Sequence, residues 1–224
     1  MATELTIEQK ESILLNFLRS ELGMKADTSY HAQSDTVDDW LKAVEGRYVD
    51  SDQVKFKLCK NFFLNHKKKK QNKFYGVACT DTQVEMNALS KNLGLGSGNL
   101  RFADSAELTN YLDILPGNVT PLAFHLLHPK VQEKRPDVLV STEENPSIVS
   151  NMKTLTIIVD AKILRKSKEF TTMLLFHPLH NCASTSMSQD EFIKYMKECL
   201  GEDAWMQVIV YDFETNAKLS VNDV

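Results

Sequence analysis

Between Val54 and Thr80 the chain carries eight lysines and no acidic residue, and two apolar runs inside that stretch constrain its folding more than any other feature. Phe62-Phe63-Leu64 and Phe74-Tyr75-Gly76-Val77-Ala78-Cys79 are short, rich in aromatics and bounded by polar residues, the pattern of strands rather than of a buried helix. The segment that joins them, NHKKKKQNK, is wholly polar. Two runs joined in this way predict a β-hairpin with a lysine-rich tip, so the fold must contain a sheet.

Further strands are expected at 122–127, in LTIIVDA at 155–161, in FTTMLLF at 170–176 and in VIVYDF at 208–213. Helices announce themselves by their caps. Thr6 with Gln9 reads as a capping box ahead of Ile13, Leu14, Phe17, Leu18 and Leu22, with Gly23 as the stop. Thr36 with Asp39 opens a shorter helix that places Val37, Trp40, Leu41 and Val44 on one face. Ser188 with Glu191 opens another, carrying Phe192, Ile193 and Met196. Val84, Leu89 and Leu93 belong to a helical segment ended by the glycines from Gly94, and RFADSAELTNYLDIL supplies one more helix. The stretch 128–152, with Pro129, Pro136, Pro146 and a Ser-Thr-Glu-Glu-Asn run, is expected to lie on the surface. The sum is a single mixed α/β domain over 1–224, with N-terminal helices within 6–45 and no internal repeat.

With 42% hydrophobic and 25% charged residues the composition is that of an ordinary globular protein, and no window is apolar enough to span a membrane. The N-terminus lacks the basic start and apolar run of an export signal, and Cys59, Cys79, Cys182 and Cys199 stand apart without a C-x-x-C pair. Reduced thiols in the cytoplasm are the expectation. A net charge of -4 exerts no general pull on nucleic acid, so any RNA contact must come from the local lysine patch.

Three constellations could carry chemistry. Lys60 and Asn61 stand at the threshold of the first hairpin strand, where an ammonium can bind a phosphate or ribose hydroxyl and an amide can donate and accept; taken alone, the residues favour a plain surface pair. Gly117-Asn118-Val119-Thr120-Pro121 can present backbone groups to a small ligand, or can be a simple turn. His177, His180 and Asn181 follow a strand. Their spacing, with Cys182, matches no standard zinc pairing, and a structural or substrate-contacting histidine fits better. GLGSGNL lacks the ending of a phosphate loop, and no G-x-S-x-G elbow or marked cysteine nucleophile is present.

Taken together, CKNFFLNHKKK, LGLGSGNLRFADSAEL, LPGNVTPLAF and FHPLHNCASTSMSQDEF resemble the YbaK-like editing family, also called the prolyl-tRNA-synthetase-associated domain. Within it, LGLGSGNLRFAD is similar to free-standing members that deacylate alanine wrongly attached to proline tRNA. The resemblance covers most of the chain but not 128–152, and His180 and Cys182 occupy positions where the family varies.

What the resemblance implies is a central mixed, largely antiparallel sheet or partial barrel flanked by helices, with a surface insertion at 128–152. The family's pocket lysine corresponds to Lys60 with Asn61 beside it, its G-x-x-x-P loop to Gly117, Asn118, Val119, Thr120 and Pro121, and its pocket histidine to His177. Lys60 would hold the terminal adenosine or its phosphate, Asn61 and His177 would orient the aminoacyl end, backbone groups of the 117–121 loop would hold its carbonyl or amino group, and a ribose hydroxyl would assist the attacking water. Asn181 joins the substrate-binding set, and Lys67, Lys68, Lys69 and Lys70 are candidates for tRNA-backbone contact. No cofactor or metal is expected. The partners implied are mischarged tRNA(Pro) and an aminoacyl-tRNA synthetase or synthetase complex, with no membrane and a monomeric chain. The alternative function is a non-catalytic tRNA-binding or synthetase-complex module of the same fold.

Overall fold

The computed structural model describes residues 5–143 and 145–223. Residues 1–4 of the N-terminal segment and Glu144 of the polar run lie outside them. Thr6 caps α1 (Ile7–Asn16) as a full capping box, and the helix widens into a π turn (Phe17–Glu21) before Gly23, at φ 64°, ends it. A short polar strand, β1 (Asp27–Tyr30), then precedes α2 (Val37–Val44), whose N-cap Thr36 hydroxyl accepts the Asp39 N–H at 3.1 Å.

The hairpin follows as β2 (Val54–His66) and β3 (Lys73–Cys79), paired antiparallel with Phe62 opposite Gly76. A Cβ on Gly76 would lie 1.8 Å from the Phe62 ring, so the ring can rest there only over glycine. Next come α3 (Met86–Asn92), β4 (Leu100–Phe102) and α4 (Ser105–Leu112), the last held by an Asp104–Glu107 capping box. The second half contains α5 (Pro129–Gln132), α6 (Ile148–Met152), β5 (Thr156–Asp160), α7 (Ala161–Leu164), β6 (Thr171–Phe176) and β7 (Ala183–Ser188). It ends with α8 (Gln189–Leu200), capped by Ser188 and Glu191 as expected, then α9 (Glu202–Trp205), β8 (Ile209–Asp212) and β9 (Ala217–Leu219).

Nine strands form one open, mixed sheet in the order β1-β7-β6-β2-β3-β5-β8-β9, with β4 attached to β2. Five of the pairings are antiparallel, and β2–β6, β3–β5 and β5–β8 are parallel. The 13-residue β2 is shared by two halves of the sheet. Its first part pairs with β6 up to Leu58↔Leu175, and β4 pairs with its end from Leu64↔Phe102. Lys60 and Asn61 therefore lie in mid-strand, not at a strand threshold.

Two other expectations change. Residues 122–127 wind into a 3-10 helix (Pro121–Leu127) rather than a strand, because Pro121 fits a first helical turn and the Thr120 hydroxyl accepts the Leu122 N–H at 3.3 Å. The stretch 128–152 is not confined to the surface. Val131, Val138, Val149 and Met152 enter the main core, and Arg135 is 2% exposed between Asp113 (2.8 Å) and Asp137 (2.7 Å). Pro129 and Pro136 open short helices instead of marking loop alone.

Candidate functional site

Where β6 has left β2 and β4 has not yet arrived, the edge of β2 is uncovered, and a cleft of about 220 Å³ opens there. Cys59, Lys60 and Asn61 line it from β2, His177 from the end of β6, Gly117 and Val119 from the loop after α4, and Ser34, Asp35, Thr36, Val37 and Trp40 from the start of α2. It is smaller than the ~300–1,000 Å³ of pockets for drug-sized ligands.

Lys60 does not wave free. Its ammonium donates to the carbonyl oxygens of Thr80 (3.1 Å) and Thr82 (2.5 Å), leaving one N–H of three for a ligand. The turn that carries those carbonyls is itself fastened. Asp160, 1% exposed, accepts from the Thr82 hydroxyl at 2.5 Å, the Cys79 N–H at 3.3 Å and the Lys162 N–H at 2.9 Å.

Asn61 folds back so that Nδ2 donates to the Cys59 carbonyl at 3.3 Å, and its Oδ1 is buried without a partner among the described residues. An orphaned acceptor in a cleft wall is a place for a ligand's N–H or O–H. His177 is 8% exposed, and its Nδ1 donates to the Ala183 carbonyl at 2.9 Å while the Trp40 ring packs 4.2 Å away. Burial brings the His177 imidazole down to about 4, against the raising effect of that carbonyl, and His31 and His180 push it the same way as burial. At neutral pH it is therefore an uncharged ring with Nε2 as acceptor, too weak a base to store a proton.

Gly117 sits at φ 85°, backbone that glycine adopts without cost, and a Cβ there would lie 4.0 Å from Asn181 Nδ2. Asn181 donates to Asp35 (2.9 Å) and to the Ser34 carbonyl (3.2 Å), tying the loop after β6 to the start of α2. Of the G-x-x-x-P set, Gly117 and Val119 reach the cleft. Thr120 and Pro121 are buried behind it as the cap and first residue of the 3-10 helix, and Asn118 lines a separate depression with Lys10 and Asp113.

His180 turns away from the cleft, with Nε2 3.2 Å from Glu11 and Nδ1 accepting the Cys182 N–H at 3.3 Å. Among the described residues no three His, Cys, Asp or Glu side chains are grouped as a metal site. Burial, with Cys79 beside it, pushes the Cys59 thiol well above its usual range, so this cleft residue stays protonated and is no nucleophile. Lys67, Lys68, Lys69 and Lys70 are exposed at the hairpin tip, seven or more residues from Lys60 and so about 23 Å along the strand at ~3.3 Å per residue. Lys73 is withdrawn from that patch by its ion pair with Glu107.

The N-terminal wall was not among the residues expected from sequence. Trp40 marked only a helix face, yet its Nε1 donates to Ser184 at 2.7 Å and its ring backs His177.

A family model described as the aminoacyl-tRNA editing domain matches residues 31–195. The chain belongs to that family. Relatives of the editing domain include the Xenopus laevis protein named prolyl-tRNA synthetase associated domain-containing protein 1, 34% identical over 62% of this chain and 66% of that one. The Bos taurus protein of the same name is 27% identical over 87% of this chain and 91% of its own length. The crystal structure of hypothetical protein APE2540 shares the editing-domain fold with a TM-score of 0.50 at 14% identity, over 89% of this chain and 97% of that one. No helix among the described residues is long and apolar enough to cross a membrane.

Proposed function

We propose that this editing domain hydrolyses the ester of mischarged tRNA(Pro), with Ala-tRNA(Pro) as its substrate. The observation that carries the proposal is the convergence of Lys60, Asn61 and His177 on one small cleft, opposite the loop of Gly117 and Val119. The names of the relatives, which couple this domain to prolyl-tRNA synthetase, support the choice of tRNA(Pro).

An aminoacyl ester is already activated, so a positioned water suffices and no covalent enzyme intermediate is needed. The remaining Lys60 N–H binds a phosphate or ribose oxygen of the terminal adenosine. Neutral His177 and the Asn61 amide accept hydrogen bonds from the aminoacyl end, and Gly117 and Val119 wall the cleft around it. Water adds to the carbonyl carbon; the ribose oxygen leaves with the proton the water gives up, relayed by the neighbouring ribose hydroxyl. The products are free amino acid and tRNA. In this reading the pocket spares proline by steric exclusion of its ring, a stronger filter than the loss of one methylene contact.

The test is release of amino acid from Ala-tRNA(Pro) and Pro-tRNA(Pro) by the purified protein and by Lys60→Ala. Wild type should clear alanine, spare proline and lose the activity with Lys60. Equal, slow release by both proteins would overturn the proposal, and tight tRNA binding without turnover would leave a non-catalytic module in its place.

A further inference from the structure

Main-chain direction along β2 fixes what the floor of the cleft offers. The Thr80 N–H reaches the Leu58 carbonyl at 2.9 Å, on the side of β3. The Thr171 N–H reaches the Gln53 carbonyl at 2.8 Å on the side of β6, and the Ala103 N–H reaches the Phe63 carbonyl at 3.0 Å on the side of β4. Successive residues of a strand alternate the edge to which their N–H and C=O point. Even-numbered residues of β2 thus face β3, and odd-numbered ones face the edge that β6 and β4 share.

The ladder to β6 ends at Leu58↔Leu175, which engages the N–H of Cys59, and the Cys59 carbonyl is taken by Asn61 Nδ2 at 3.3 Å. The contact to β4 begins with Phe63. Asn61 is the odd residue between. Its N–H and C=O leave the strand edge toward the cleft lined by Lys60, Gly117, Val119 and His177, with no strand of the described residues opposite.

We infer that the main-chain N–H of Asn61 is the donor that holds the ester's carbonyl oxygen as it becomes an oxyanion; this deepens the deacylase reading and rests on it. When water adds to the carbonyl carbon, the π pair moves onto the oxygen, and this N–H and the Lys60 ammonium share the negative charge. When the carbonyl re-forms, the bond to the ribose oxygen breaks and the charge is released. A strand N–H braced by β3 on its other edge needs no reorientation during the reaction, which makes such a donor effective. Asn61 then has two separable parts, a side chain that accepts and a backbone that donates.

Those parts can be separated by experiment on the full chain. Asn61→Ala removes the side chain and keeps the N–H. The same protein with lactic acid in place of the alanine, an amide-to-ester exchange, also removes the N–H. Asn61→Pro removes it by ordinary mutagenesis, at a position where no ladder hydrogen bond is lost. The ester protein should have kcat for Ala-tRNA(Pro) about 10²- to 10³-fold below Asn61→Ala, with KM and the melting temperature close to those of Asn61→Ala. A purely structural role would lower the melting temperature and leave kcat of the folded fraction unchanged. Equal kcat for the ester and Asn61→Ala proteins overturns the inference while the deacylase reading stands. Failure of the wild type to deacylate takes both down together.

Discussion

The hairpin β2–β3 presents lysine in two ways, and the contrast separates recognition by geometry from recognition by field. Lys60 is half-buried and tethered to two carbonyls, so its charge is delivered to one point. Lys67, Lys68, Lys69 and Lys70 are exposed on the turn, free to meet phosphates in many arrangements. Loss of a tethered cation removes a specific contact with the reacting end of a substrate, whereas loss of an exposed one lowers a potential that its neighbours partly sustain.

The largest expected effect is at the tethered end. Lys60→Ala should lower kcat/KM for deacylation about 100-fold or more, and Lys60→Arg should not rescue it, because a planar guanidinium cannot reproduce the ammonium's hold on the Thr80 and Thr82 carbonyls. Single-turnover rates with Ala-tRNA(Pro) check this, and full rescue by arginine would reduce Lys60 to a field contributor like the tip.

Acid probes the same buried end. His177 has a folded value of about 4 against about 6.5 when unfolded, so the unfolded chain binds the extra proton between those values. The stability it supports is complete above pH 6.5 and is lost as pH falls toward 4, by up to roughly 3 kcal/mol. Urea midpoints at pH 7 and pH 4.5 should differ less in His177→Gln than in wild type. The wild-type activity profile should show no inflection near 6.5 that His177→Gln abolishes, and such an inflection would mean that the imidazole is open to solvent.

At the tip the effects are smaller and salt-dependent. Replacing Lys67, Lys68, Lys69 and Lys70 together by glutamine should weaken tRNA binding about tenfold at low salt and flatten the dependence of log K on log[salt] by about 3, with kcat for bound substrate unchanged. Lys69→Gln alone should change affinity less than about threefold and the slope by under one. A large kcat effect from either would place the tip in the chemistry and erase the contrast.

How much of this was legible in the sequence depends on the range of the interactions. The caps at Thr6, Thr36 and Ser188 and the hairpin itself are local, written within a few residues, and stand as expected. β1 (DTSY) and β7 (ASTSMS) are mostly small and polar and give no clear apolar strand signal; they are joined by main-chain pairing and by the Thr28–Thr185 hydroxyl contact at 2.9 Å, neither of which a local pattern records. Residues 122–127 are buried on nearly every side, which erases the periodicity that tells strand from helix. Lys60, Asn61, His177, Gly117 and Val119 were legible as motifs and meet in the cleft. Its α2 wall was not. Asn181 finds Asp35 across 146 positions of chain, and no local pattern records such a contact.

The sharing of β2 between two halves of the sheet also has a consequence for the order in which the protein can come into being. During synthesis the segment with Lys60 and its hairpin partner β3 emerges early and can pair at once, since the two are close in the chain. The other edge of β2 waits for β6, whose residues 171–175 are made more than a hundred positions later, and His177 arrives with them. Contacts of such long sequence separation form late. A ribosome releasing this chain would thus surrender the lysine first and the pocket last, and a half-made chain would have the cation without the cleft.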